Sequence, residues 1–463
     1  MAPARVAILG GGLAGMAAAL RLSEAGYAVE LIEKRPVLGG RASSFSPPGE
    51  TAPIDNCQHV LLGCCTNLID FFRRTGVGNQ FRYYSRYLFQ ANGRISSLSA
   101  SALPAPLHFL PSLAGFRALS WQERWVIARA MLTILRTPTP FPDEPLLAWL
   151  DRHGQTAAVK ENFWKVILVS ALNEELERLS TRAAFHVFRD GFLRNRRGYR
   201  MGVPTVSLGE LYSSRHLSEK CTLRMATPVA GLEIADGRVQ GIRLPNGEMR
   251  QADYYVSALP PDALVNLVSA EQRRVWPQTN DWAVLDWSPI TGIHLWFDRL
   301  VTELDHLTVC GRTIQWIFNK SALAKGSDAN TETQYLQLVI SASRSLVMMK
   351  RDEVLQLALR ELGEILPQSK QATLRKAVVV KETKATFSFS PGTDDHRPAP
   401  ETPFGNLFLA GDWTQTGWPP TMEGAVRSGY RAAECVTEAA GQPQKFLVPD
   451  LPSDPLARLL LRS

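Results

Sequence analysis

Arg5-Val6-Ala7-Ile8-Leu9 runs straight into Gly10-Gly11-Gly12-Leu13-Ala14-Gly15, and Met16 to Ala25 continues with a helical pattern. Apolar strand, glycine turn and helix in that order predict the start of a βαβ dinucleotide-binding unit. Gly10 permits the tight turn, Gly12 lets a pyrophosphate approach the backbone, and Gly15 lets helix pack on strand. Leu13 and Ala14 open the helix, whose free N–H groups and dipole favour negative charge. A second strand, Val29 to Ile32, ends in Glu33. A carboxylate there accepts hydrogen bonds from ribose hydroxyls and repels a 2′-phosphate, so FAD or NAD suits the turn better than NADP. The alternative is a glycine turn in an ordinary α/β unit.

The next segment separates FAD from NAD. Glu33-Lys34-Arg35-Pro36-Val37-Leu38-Gly39-Gly40-Arg41-Ala42-Ser43 resembles the extended motif of the flavoprotein amine oxidase and carotenoid desaturase superfamily. The resemblance implies that Lys34 and Gly40 lie along the cofactor and that Arg41 faces its pyrophosphate. Taken alone, Gly39-Gly40-Arg41 also reads as a loop with a solvated arginine.

The far end of the chain bears on that choice. Asn406-Leu407-Phe408-Leu409-Ala410-Gly411-Asp412, then Met422-Glu423-Gly424-Ala425-Val426-Arg427-Ser428-Gly429, resembles the C-terminal flavin motif of the same superfamily. The resemblance implies that Asp412, after Gly411, accepts from a ribityl hydroxyl. It also implies that a helix starting at Met422 aims its N–H groups at the flavin pyrimidine edge. Val229 matches the residue that clamps the adenine through its backbone, just before a hairpin marked by Asp236-Gly237 and Asn246-Gly247. FAD is the expected cofactor.

The expected fold is α/β: a Rossmann-type FAD-binding domain with a discontinuous α+β substrate-binding domain. Residues 1–95, 216–265 and 396–440 form the first, residues 96–215 and 266–395 the second, and 441–463 a tail. Trp121 to Leu135 and Phe163 to Leu172 predict helices. Ile290 to Phe297 and Tyr335 to Ile340 predict strands, and Asp352 to Leu366 a further helix.

The 463 residues are 45% hydrophobic and 21% charged, a globular rather than a disordered composition. A net charge of +7 suits either an anionic membrane surface or an ordinary solvated face, while the absence of a long basic tract argues against nucleic acid. The six cysteines form no C-x-x-C pair, which suggests a reduced, cytoplasmic compartment, and Cys64-Cys65 read as buried thiols. No zinc-type spacing and no long uncharged apolar run is evident, and the strand expected at Arg5 to Leu9 lies so near the first residue that no signal peptide is expected. The stretch Leu103 to Phe116, the helix Trp121 to Arg136 and the tail Pro455 to Arg462 each read in two ways. One is a segment lying on the inner face of a membrane, and the other is ordinary core packing.

Ile54-Asp55-Asn56-Cys57-Gln58-His59-Val60-Leu61-Leu62-Gly63-Cys64-Cys65-Thr66-Asn67-Leu68 narrows the resemblance. With Gly411-Asp412-Trp413-Thr414 and Thr416 to Ala425, it resembles the squalene-associated, desaturase-like flavoproteins of bacterial hopanoid synthesis, the hydroxysqualene dehydroxylases. That family implies reductive removal of the hydroxyl of hydroxysqualene, an allylic alcohol, to give squalene. The departing oxygen needs a proton or a hydrogen bond. His59 is a candidate proton donor and Asp55 a second candidate; the structural alternatives are a core histidine and a cap on the following segment. Glu423 reads as a partner of the helix dipole, Asn173-Glu174-Glu175 as pocket lining or surface charge, and Trp413, Trp418 and Tyr199 as tunnel wall or core. Two other functions remain open: an oxidative phytoene-type desaturase, and a lipid carrier without redox turnover. An amine oxidase is a lesser option. With one glycine fingerprint only, the electron donor to the flavin is unidentified.

Overall fold

The glycine turn follows the middle strand of a five-stranded, all-parallel sheet. This computed structural model describes residues 2–49, 52–91, 93–324 and 333–461. The order across the sheet is Thr222–Arg224, β2 (Ala28–Ile32), β1 (Arg5–Leu9), Tyr254–Ser257 and Leu407–Leu409. Apolar residues fill β1 on both faces, as a sheet covered on both sides requires. Helix α1 (Leu13–Glu24) packs against the helix Met422–Ala439. The two backbones approach closely at Gly429, where a Cβ would stand 2.2 Å from the Ala14 carbonyl oxygen. The turn itself needs glycine twice. Gly10 has φ +101°, and a Cβ on Gly15 would sit 1.9 Å from the Gly10 carbonyl oxygen.

A second, seven-stranded sheet builds the floor of the other half. Its order is Leu374–Phe387, Trp287–Phe297, Gln334–Ser341, Trp316–Asn319, His306–Val309, Arg86–Ala91 and Arg94–Ser99. All pairings are antiparallel except His306–Val309 with Arg86–Ala91. The strand Arg86–Ala91 thus joins this sheet ahead of the division expected at residue 95, because its buried face is completed by distant strands. Helices between residues 121 and 193 cover the sheet through a shared aromatic and aliphatic core that includes Ile127, Trp149, Trp164 and Phe188. No helix among the described residues is long and apolar enough to cross a membrane.

Candidate active site

The end of β1 carries the donors that a dinucleotide requires. No side chain caps α1 and no acidic residue occupies its first turn, so its N-terminal N–H groups face outward uncompensated. A Cβ on Gly12 would meet only the Gly40 Cα, at 3.9 Å, so the space beside this backbone is open. Glu33 is buried at the tip of β2, accepting from Gly11 N at 2.6 Å and Arg35 N at 2.8 Å. Its carboxylate therefore also braces the glycine turn. Lys34 is exposed beside it, and Val229 lies half-buried just ahead of the hairpin strand Gly231–Ala235. Gly39 donates to Gly11 O at 2.9 Å, which folds the Gly39-Gly40 turn back onto the first one.

Arg41 and Asp412 come together as an ion pair across 371 residues. The guanidinium also lies over the rings of Trp287 and Phe387, at 5.5 and 5.3 Å. Asp412 follows the parallel strand Leu407–Leu409, so both flavin motifs meet at the carboxyl end of one sheet, where such folds bind ligands. Arg397, which sequence reasoning missed, holds the loop after Asp412. Almost wholly buried, it donates to the carbonyls of Trp418 (2.8 Å) and Asp412 (3.0 Å) and to Thr416 Oγ1 (3.1 Å). Its only sequence signal is an arginine following Asp394-Asp395 inside a proline-rich loop.

The helix beginning at Met422 is capped by Thr421, whose hydroxyl accepts from Gly424 N. Glu423 serves a different helix from the one expected. It accepts from Leu68 N at 2.7 Å and from Asn67 N at 3.2 Å, and so caps the N-terminus of α2 (Thr66–Arg74), which lacks a side-chain cap of its own. Arg427 Nε supplies a further donor at 2.7 Å. Burial pushes the pKa of Glu423 above the usual carboxylate range, against Arg427 and these N–H groups.

A largely apolar cavity runs from Arg41 and Met422 past Leu62, Leu68, Phe89, Leu98 and Phe192. His59 lines it. Its Nδ1 lies 3.0 Å from the Cys57 carbonyl, an oxygen that only accepts, so Nδ1 carries the proton and Nε2 presents a lone pair. Burial lowers the His59 pKa, with the Cys57 carbonyl and Asp55 pulling it back up. The expected proton donor is therefore a neutral acceptor at neutral pH.

Asp55 does not reach the cavity wall. Its carboxylate accepts from Ser44 Oγ (2.7 Å), Leu208 N (2.8 Å) and Lys320 Nζ (3.3 Å), so it is a structural anchor that caps a distant helix. Asn173 and Trp418 line the cavity. Trp413 and Tyr199 do not: Trp413 donates to Leu259 O, and Tyr199 bonds Ser85 O and Ala100 N. Glu174 is fully buried, contrary to a surface role. Asn173 ends its helix at φ 53°, which turns Glu174 inward to pair with Arg344. Cys57 and Cys64 are buried free thiols, and burial pushes Cys57 up to about 12.

These features define a flavin-dependent oxidoreductase with an apolar substrate cavity. Residues 13–437 match the family described as "Flavin containing amine oxidoreductase", and the chain belongs to that family. FAD is its cofactor, and polyprenoid enzymes are among its full-length relatives. The chain is 24% identical to the 15-cis-phytoene desaturase of Synechococcus elongatus, over 95% of this chain and 97% of that protein. It is 27% identical to the zeta-carotene desaturase of Synechocystis, over 93% and 97% of the two chains. An oxidoreductase structure from Methanosarcina mazei shares the fold, with a TM-score of 0.70 and 20% identity over 92% of this chain and 98% of that one.

Proposed function

We propose that this protein reduces hydroxysqualene to squalene, as an FAD-dependent dehydroxylase of squalene and hopanoid synthesis. The observation that carries the reading is where the squalene-associated segment lies. Cys57, His59, Val60, Leu62 and Leu68, all from the stretch resembling the dehydroxylases, stand on the cavity wall with Trp418 and Met422 from its C-terminal counterpart. Bound FAD supplies a hydride donor when reduced. The chain's own part is to seat a long apolar chain, to exclude water, and to meet one hydroxyl. Neutral His59 accepts a hydrogen bond from that hydroxyl through Nε2 and so orients it. The aromatic faces of Tyr87, Phe89 and Trp418 stabilise positive charge on an allylic carbon in a dry site. Gly10, Gly12, Gly15, Glu33, Lys34, Gly40, Arg41, Val229, Gly411, Asp412 and Met422 hold the cofactor.

A polyprenoid substrate reaches such a cavity from lipid. Trp121 and Trp125 are 71% and 61% exposed, and Leu132 shares their face of the helix Trp121–Arg136. Arg129 and Arg136 are exposed on the same helix, and Leu107 and Leu110 are exposed nearby in sequence. This face is the proposed seat on an anionic, inner-leaflet membrane surface. The short tail helix Pro455–Leu460 adds an exposed Leu459 and a buried Ala457, while Arg462 lies outside the described residues.

The test is anaerobic. The holoenzyme is reduced, mixed with hydroxysqualene, and followed by flavin absorbance and squalene assay. Stoichiometric reoxidation with squalene formation supports dehydroxylation. A flavin that stays reduced, with no squalene, overturns it. Phytoene-type desaturation is the second reading, favoured by the named full-length relatives. It predicts reduction of the oxidised holoenzyme by phytoene.

A further inference from the structure

The cavity holds a second histidine that none of the sequence motifs includes. His186 ends the helix Thr181–His186, where the chain passes into a π-helical turn, Val187–Leu193. Such turns are rare and concentrate at functional sites. Both His186 and Asp190 line the cavity. His186 Nδ1 lies 3.4 Å from Asp190 Oδ2, one turn further on. His186 Nε2 is buried and has no partner among the described residues. The ring stands edge-on to Trp418, with centroids 4.5 Å apart, at the loop leading to the Met422 helix.

The two histidines differ in what they offer. The carbonyl beside His59 fixes an acceptor at Nε2. Neutral His186 does the same, since the Asp190 carboxylate also only accepts, but that carboxylate carries a charge that stabilises the imidazolium, so His186 offers an Nε2–H donor once it takes up a second proton as pH falls. We propose that His186, held by Asp190, is the proton donor to the substrate oxygen as it leaves. This rests on the dehydroxylation reading above. The allylic C–O bond breaks with its electron pair on oxygen. That oxygen takes the Nε2 proton of His186 and departs as water. Bound FAD in its reduced form would supply the hydride and electron pair that the carbon needs, and His186 regains a proton from solvent.

Charged groups from three segments face the ring. Burial lowers the His186 pKa, Asp190 and Asp450 raise it, and Arg427 and Arg194 lower it. The protonated fraction therefore grows as pH falls below the ordinary histidine range.

Two measurements on the holoenzyme test this. The first is single-turnover reoxidation of the reduced enzyme by hydroxysqualene between pH 5 and 8. The wild-type rate rises as pH falls. In H186N and H186Q, checked for full FAD content, the rate drops about 100-fold and the pH limb disappears. In D190N the limb moves to lower pH, because the imidazolium loses its carboxylate. A wild-type limb in both His186 variants overturns the proposal. The second is 15N NMR of the oxidised enzyme with geranylgeraniol, an allylic alcohol, and with squalene, which has no hydroxyl. A His186 Nε2 shift with the alcohol alone supports contact with the hydroxyl; equal spectra overturn it. A wild type that hydroxysqualene does not reoxidise refutes the dehydroxylation reading and its proton step. The NMR measurement still decides separately whether His186 meets a hydroxyl.

Discussion

Replacing Glu423 with alanine should loosen the cavity wall from the cofactor helix. The carboxylate accepts from the buried backbone N–H groups of Asn67 and Leu68, at 3.2 and 2.7 Å. It also accepts from Asn67 Nδ2 at 3.0 Å, but that amide keeps the Val448 carbonyl at 3.1 Å. Arg427 likewise keeps Asp450. Two backbone donors are thus stranded, each costing about 1–3 kcal/mol, for a total of about 4 kcal/mol. E423Q retains one acceptor oxygen and should lose about half of that. The loss falls at the N-terminus of α2, so hydrogen exchange at Asn67 and Leu68 is the direct readout. A loss of about 4 kcal/mol corresponds to exchange roughly 10³-fold faster in E423A, with E423Q between it and wild type. FAD should dissociate at lower urea in the same order. Unchanged protection of these two amides in E423A would refute the argument that Glu423 caps α2.

Gly15→Ala should abolish FAD binding, because its Cβ would overlap the Gly10 carbonyl; flavin absorbance of the purified variant reads this, and a yellow protein would contradict it. His294 is buried, and burial lowers its pKa to about 4. An unfolded histidine of ordinary pKa takes up its proton first, so stability is complete above about pH 6.5 and falls as pH drops toward 4. The loss from this group at pH 5 is about 2 kcal/mol, and His294→Leu should remove it from the wild-type pH dependence of urea unfolding. Replacing Trp121 and Trp125 together with serine should weaken flotation with vesicles containing anionic lipid, with FAD content and solution turnover of dispersed substrate retained. Equal flotation would remove this face from the membrane proposal.

The cofactor half was readable because its signals are local. β1, the glycines and Glu33 lie within thirty residues and obey strand and helix periods, so the strand, the turn and the helix that follows it were all legible. Arg41 and Asp412 were readable only through resemblance, since nothing in either segment announces that they will pair. The substrate half was legible as elements but not as an assembly. Its sheet pairs the strand Arg86–Ala91 with His306–Val309, and the period of two that marks each strand does not say which strand lies beside it. Asp55 misled because its partner, Lys320, is 265 residues away and absorbs the charge that suggested chemistry. His186 and Asp190 went unnoticed for the opposite reason. Within Phe185-His186-Val187-Phe188-Arg189-Asp190 the spacing i,i+4 looks like any helix surface pair, and only the fold turns it toward the cavity.

The joining of Arg41 to Asp412 has a consequence for how the protein is made. During synthesis the glycine turn emerges early, yet the proposed cofactor seat is incomplete until the strand Leu407–Leu409 and Asp412 have left the ribosome. For most of translation the nascent chain must shelter the apolar residues that will line the cavity, without the ligand that would hold the folded state together. Flavin uptake then acts as an inspection of the nearly finished chain. Products terminated before residue 412 would carry the fingerprint of a flavoprotein but stay colourless.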